Sequence, residues 1–287
     1  MSRILQKIFK KLCYILSIDV YCSRMAIIAY RWIYGALLRA GWRKISKSSE
    51  KCTIILMNYK RPFNMECQLR LILSCDFVGE VLFSNNNPEC YLNKYITTYD
   101  PRLKIINQTK QRFPSVRFEL ARAANFQWII AIDDDVFPTP KQLQNLFYNL
   151  LSDPSCPHGW GGERYRENLT ELDDSSQGTI LDLFIRKDME VDTLIWAFAF
   201  TKKINERYFQ LLSKIEETND SVTSSEDVVL SYSGDKSSRI HSSSGLITCP
   251  TSNKADIATC QQSGFIRRRI QLVDRCRRVT GISIAVV

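Results

Sequence analysis

From residue 52 onward, short apolar runs alternate with longer stretches in which apolar residues recur at helical spacing. Residues 52–57 (CTIILM) and 128–132 (WIIAI) are apolar at nearly every position, the pattern of strands covered on both faces. Residues 80–83 and 103–106 read as shorter strands between them. Residues 63–75, 116–124 and 141–151 carry the helical period. Such alternation predicts an α/β fold, with a mixed, mostly parallel, Rossmann-like sheet flanked by helices. Ligands of these sheets bind beyond the carboxyl ends of the strands, so the residues that follow each strand carry the most weight. The second half is mixed, with strand-like runs at 181–185 and 194–200 and helical spacing at 203–217, 226–232 and 263–279. A chain of 287 residues is long enough to bury a sizeable core.

Each of the first four strands is followed by a polar turn. The sharpest is Asp133, Asp134 and Asp135, directly after WIIAI. Side chains alternate along extended chain, so Asp133 and Asp135 can point the same way. Two such carboxylates make a hard oxygen site for Mn²⁺ or Mg²⁺, and that ion can take up charge on a departing nucleoside diphosphate. A solvated loop or helix N-cap before Pro138 is the plainer reading of the same residues. After the first strand come Asn58, Tyr59, Lys60, Arg61 and Pro62; Tyr59 suits a nucleotide base and Arg61 a phosphate. The second strand runs into Ser84, Asn85, Asn86 and Asn87, and the third into Asn107 with Arg112 shortly after. Asparagine is common in turns for local reasons. Four such turns on one sheet edge say more than any one of them. Further on, Ser225, Glu226 and Asp227 precede an apolar stretch. They read either as the capped start of a helix or as a carboxylate pair beside a reacting sugar.

Taken together and in this order, TIILMNYKRP, VLFSNNNP, Asn107 with Gln111, Arg112 and Phe113, IAIDDD, DTLIWAFAF and SSEDVVLSY resemble the exostosin-like glycosyltransferases over roughly residues 52–270. The resemblance implies a GT-A-like fold, a UDP-N-acetylhexosamine donor, Mn²⁺ and retention of anomeric configuration. It implies that Tyr59, Arg61, Asn85, Asn107 and Arg112 hold the UDP part, with Asp133 and Asp134 at the nucleotide and Asp133 and Asp135 at the metal. It places Asp227, with Glu226 beside it, as the carboxylate near the anomeric carbon. Ser225 stands where that family often has a cysteine, and Gln262 near the place of a family arginine, for which Arg267 or Arg268 would substitute.

The remaining features bear on location and partners. Residues 1–50 hold ten Lys or Arg against Asp19 and Glu50, which leaves the rest of the chain nearly neutral in a total of +9. A basic tail on a neutral body argues against a nucleic-acid partner, which would call for positive charge spread over a groove. It suits an anionic membrane surface. The apolar stretch at 25–42 is interrupted by Arg31 and Arg39 and is short of the ~20 uninterrupted apolar residues of a spanning helix. Residues 1–49 are therefore read as a helical, in-plane amphipathic anchor and linker, and residues 50–287 as the catalytic domain. Packing of the same helices on the domain is the other reading. Ten cysteines without a CxxC pair, and only two histidines, disfavour a zinc site; Cys52, Cys67 and Cys75 in apolar runs read as buried thiols. The expected place is a membrane-associated site at the cytoplasmic face, with the Golgi or endoplasmic reticulum lumen as the alternative. The expected activity is transfer of a sugar from a UDP-sugar to a glycan or glycoconjugate acceptor. An inverting transferase, a metal-dependent nucleotidyltransferase and a non-catalytic membrane-associated binding protein stay open beside it.

Overall fold

A computed structural model describes residues 49–165, 188–242, 246–249 and 258–284. The anchor expected at residues 1–48 and the strand expected at 181–185 lie outside the described residues. Sixteen principal elements follow in chain order: β1 (Cys52–Asn58), α1 (Pro62–Leu73), β2 (Val78–Asn85), β3 (Leu103–Asn107), α2 (Val116–Ala123), β4 (Trp128–Ile132), β5 (Val136–Phe137), α3 (Pro140–Ser152), β6 (His158–Glu163), β7 (Met189–Val191), β8 (Thr193–Thr201), α4 (Lys202–Lys214), α5 (Glu226–Ser231), β9 (Ser238–Ile240), β10 (Ile247–Thr248) and α6 (Phe265–Thr280). The main sheet has the order β3-β2-β1-β4-β8-β6-β9-β7. β8 runs antiparallel to both neighbours and β7 antiparallel to β9; the other strands share one direction. This is the mixed, mostly parallel, Rossmann-like sheet flanked by helices that the sequence led us to expect.

The strands are apolar throughout because both faces are covered. Along β1, Ile54 and Leu56 enter one core and Ile55 the other; along β4, Ile130 and Ile132 face one and Ile129 and Ala131 the other. One core is built with Met65 and Leu69 of α1 and Leu143, Leu146 and Phe147 of α3. The other uses Phe118 of α2 and residues of α4, α5 and α6. Helix boundaries follow local chemistry. Pro62 opens α1, Thr139 and Gln142 form a capping box ahead of α3, and Thr201 accepts from the Ile204 amide at the start of α4.

β6 was not anticipated from the sequence. Its segment HGWGGE is half glycine, a composition that weakens strand propensity. Here the glycines are needed because β8 passes close. A Cβ at Gly159 would lie 2.7 Å from the Ala197 carbonyl oxygen, and one at Gly162 2.7 Å from that of Thr193. The β6–β8 register shifts between Gly159 and Gly161, and opposite that shift Trp196 adopts a φ of 71°. α6 also differs from its sequence appearance. Its arginines are largely taken up by acids of this chain: Arg268 and Arg275 pair with Glu217, Arg277 with Asp192 and Arg278 with Asp274. Cys52, Cys67 and Cys75 are buried and outside any disulfide, as expected. No helix among the described residues is long and apolar enough to cross a membrane.

Candidate active site

The parallel register of β1, β2 and β3 lines up their last residues, Asn58, Asn85 and Asn107. Their side chains form a ladder along the carboxyl edge. The Asn58 amide donates to Asn85 Oδ1 at 3.0 Å, and the Asn85 amide donates to Asn107 Oδ1 at 3.2 Å and to the Cys90 carbonyl at 2.9 Å. Asn58 and Asn85 are buried, and Asn107 is exposed at the end of the row. Tyr59 lies half-buried just beyond, with the Lys60 amino group 5.2 Å from its ring centre. Arg112 closes the outer flank. Its backbone amide donates to the Asn86 carbonyl at 3.3 Å, while its guanidinium meets Glu119 at 2.6 Å and lies 3.7 Å from Asp220. Arg112 is thus docked to the end of β2 but turned toward acids other than the triplet.

Leu56 of β1 pairs with Ile132 of β4, so the acid triplet leaves the sheet alongside the first loop. The turn is gripped through its backbone. Gln68 Nε2 donates to the carbonyls of Asp133 at 2.9 Å and Val136 at 2.6 Å, and Asn64 Nδ2 donates to that of Asp134 at 2.7 Å. The Cys249 amide, just after β10, donates to the Asp135 carbonyl at 2.6 Å, and the Asp133 amide donates to the Trp196 carbonyl at 2.9 Å. With four consecutive carbonyls tied down, the carboxylates pair with arginines of neighbouring elements. Arg61 pairs there with Asp134 at 2.5 Å and lies 3.5 Å from Asp135.

α5 brings the second acid pair to the same place. Arg117 of α2 stands between the two groups, 2.7 Å from Asp133 and 3.3 Å from Glu226. Its guanidinium also lies 4.8 Å from the Phe198 ring centre. Asp227 accepts from Arg269 of α6 at 2.6 Å, and Arg269 is held from behind by Glu163 at 2.7 Å. Glu163 in turn accepts from Tyr165 at 2.6 Å and Thr193 at 2.9 Å. Burial pushes the Glu226 carboxyl up to about 8, with Arg117 opposing and Asp227 adding to the shift. Burial raises Asp133 and Asp227 as well, against the pull of Arg117 and Arg269 respectively. Glu226 Oε2 is buried and has no hydrogen-bond partner within the described chain.

Two acid groups expected from the sequence, Asp133–Asp135 and Glu226–Asp227, are therefore joined through Arg117, and Arg61 ties in the first loop. Arg117, Arg269, Glu163, Asn64 and Gln68 were not singled out from the sequence. Each of the four helical ones sits at helical phase with buried apolar neighbours. Arg269 leads Leu272, Val273 and Cys276, and Arg117 leads Ala121. A polar side chain on an apolar face was the signal available. Of Arg267 and Arg268, the alternatives expected to approach the diphosphate, Arg268 pairs with Glu217, and the neighbouring Arg269 is the one that meets Asp227.

Asp153, Cys156 and His158 form a second cluster with ligand-like atoms. Its donors are already engaged. His158 Nε2 lies 2.7 Å from the Asp153 carbonyl, His158 Nδ1 2.7 Å from His241 Nε2, and Asp153 pairs with Lys236 at 2.8 Å. Burial lowers His158 to about 4, so the ring is neutral at pH 7 and serves as packing.

No family model matches the chain, and no curated protein matches it. Among solved structures, it is similar to a crystal structure of GalNAc-T7 with UDP, GalNAc and Mn²⁺, at 8% identity and a TM-score of 0.46. The similarity covers 68% of this chain and 43% of that one, so the chain spans less than half the length of the structure it matches.

Proposed function

We propose that this chain is a divalent-metal-dependent glycosyltransferase that moves a sugar from a UDP-sugar to a hydroxyl of a glycan or glycoconjugate acceptor. The observation that carries the reading is the meeting of three polar groups at one sheet edge: the asparagine row, the acid triplet and the Glu226–Asp227 pair. The donor set fits a hard divalent cation. With Glu226 neutral, Asp133, Asp134, Asp135, Glu163 and Asp227 still outnumber the three guanidiniums they face, those of Arg61, Arg117 and Arg269, so the cluster is short of positive charge. Carboxylate oxygens are the ligands that Mn²⁺ and Mg²⁺ prefer. Asp133 and Asp135 would hold the ion, which supplies charge neutralisation for the departing diphosphate.

The protein groups divide the remaining work. Asn107 and Tyr59 present amide and aromatic surface to the nucleotide, with buried Asn85 orienting Asn107 from behind and Arg61 as a cation for its phosphates; Arg112, paired with Glu119, flanks them. Asp227, oriented by Arg269, is the carboxylate for the developing positive charge on the sugar. Glu226, kept protonated by burial near neutral pH, can hand on or take up a proton at the acceptor hydroxyl. An N-acetylhexosamine donor and retention of configuration follow from the exostosin-like resemblance, and residues 1–49 are assigned as a membrane-associating segment on their charge and spacing.

The deciding experiment is a thermal-shift panel of UDP-, GDP- and dTDP-sugars with and without Mn²⁺, followed by product analysis. A ligand bound only by the folded state at a hundredfold excess over Kd adds about 2.7 kcal/mol. The expected outcome is a Mn²⁺-dependent shift with a UDP-sugar, release of UDP, and loss of both in Asp135→Ala with folding retained. Release of pyrophosphate would make the chain a nucleotidyltransferase. Wild-type turnover by Asp135→Ala would defeat the assignment.

A further inference from the structure

Arg61 contributes charge to the acid triplet, whereas other groups supply its shape. The carbonyls of Asp133, Asp134, Asp135 and Val136 are fixed by Gln68, Asn64 and the Cys249 amide, none of which is charged. Arg61 instead meets the carboxylates themselves, at 2.5 Å for Asp134 and 3.5 Å for Asp135, with its side chain only 9% exposed. Adjacent carboxylates in such a place repel one another without a cation. A guanidinium and a divalent ion competing for Asp135 are alternative answers to that repulsion.

We propose that Arg61 is a built-in counter-ion that holds the triplet in the metal-free protein, and that a divalent cation displaces it toward the diphosphate of the nucleotide. This rests on the metal-site reading given above and sharpens it. It makes cation and nucleotide binding respond to Arg61 in opposite senses. A residue that merely helped to build the site would weaken both when removed. A displaceable counter-ion opposes the bare cation and favours the phosphate-bearing ligand. At the effective dielectric of a protein surface, a unit charge ~4 Å from the site is enough for roughly a tenfold change in cation affinity or more.

The test uses the full chain and free Mn²⁺ measured by electron paramagnetic resonance. Arg61→Ala and Arg61→Gln are expected to bind Mn²⁺ alone roughly tenfold more tightly than wild type, and Arg61→Lys close to wild type. With Mn²⁺ saturating, UDP is expected to bind both neutral variants at least about tenfold more weakly. Equal or weaker Mn²⁺ binding by folded Arg61→Gln overturns the proposal. So does loss of folding in both neutral variants, since Arg61 would then be part of the turn's framework. Asp135→Ala separates the two claims. If wild type binds Mn²⁺ and Asp135→Ala does not, only the Arg61 outcome bears on the counter-ion. If Mn²⁺ binding ignores Asp135, the metal-site reading falls and takes the counter-ion with it.

Discussion

Glu226 sits between opposing influences: burial favours its neutral form, and Arg117 at 3.3 Å favours its charge. Burial prevails, and the carboxyl moves up to about 8. A group with a raised folded-state value binds more protons folded than unfolded between its two pKa values. Its contribution is therefore complete below its ordinary value near 4.5 and is lost as pH rises through about 8. The ligand-free protein should lose stability across that range, and Glu226→Gln should flatten the slope without abolishing it, because Asp133 and Asp227 are shifted in the same direction. Urea midpoints measured from pH 6.5 to 9 check this; an unchanged slope would show that Glu226 is ionised throughout. His158 acts in the opposite sense at lower pH. Its depressed value near 4 means stability falls as pH drops from about 6.5 toward 4. At this scale the acids were legible because they cluster in the sequence. Their arginines were not, since α6 alone carries Arg267, Arg268, Arg269, Arg275, Arg277 and Arg278. Only helical phase separates Arg269 from the rest.

At the scale of elements, α1 turns an unexpected face to the site. Arg61, Asn64 and Gln68 lie about a turn apart along one side of it, and all three reach the triplet. Gln68 is buried and serves two carbonyls, so Gln68→Leu should destabilise the protein by about 1–3 kcal/mol, read from urea unfolding. The same variant should weaken Mn²⁺ binding, because the turn would lose its grip on Asp133 and Val136. A loss below ~0.5 kcal/mol would mean that the turn holds its own shape. β6 makes the complementary point. Gly159→Ala, which sets a Cβ against the Ala197 carbonyl, should cost about 1–3 kcal/mol by overpacking. The first four strands and three helices were readable because both-face burial writes apolar runs and amphipathic helices have a fixed period. β5, β6, β7, β9 and β10 were not, because they are glycine-rich or only two or three residues long and are positioned by their neighbours.

For the whole molecule, the distribution of charge along the sequence divides the chain near residue 50. The sheet described from residue 52 onward has apolar cover on both faces, whereas the basic excess lies in residues 1–50. We propose that residues 50–287 fold and bind metal by themselves. Removal of residues 1–49 should leave the melting temperature within a few degrees of the full chain, while binding to vesicles containing anionic lipid drops at least tenfold, as expected for an interfacial basic helix. Collapse of the truncated chain would mean that those residues pack on the domain, the other arrangement open from the sequence.

The clasp between β5 and β10 links distant stretches of the chain. Ile247 pairs with Phe137, and the Cys249 amide closes on the Asp135 carbonyl, more than a hundred residues upstream. Synthesis order then matters: a nascent chain that has emerged only as far as β8 already exposes the three acids but lacks the strand that finishes their turn. β10 thus acts as the latch on a site begun more than a hundred residues earlier, and a product cut short before residue 246 would carry the acids with that latch missing.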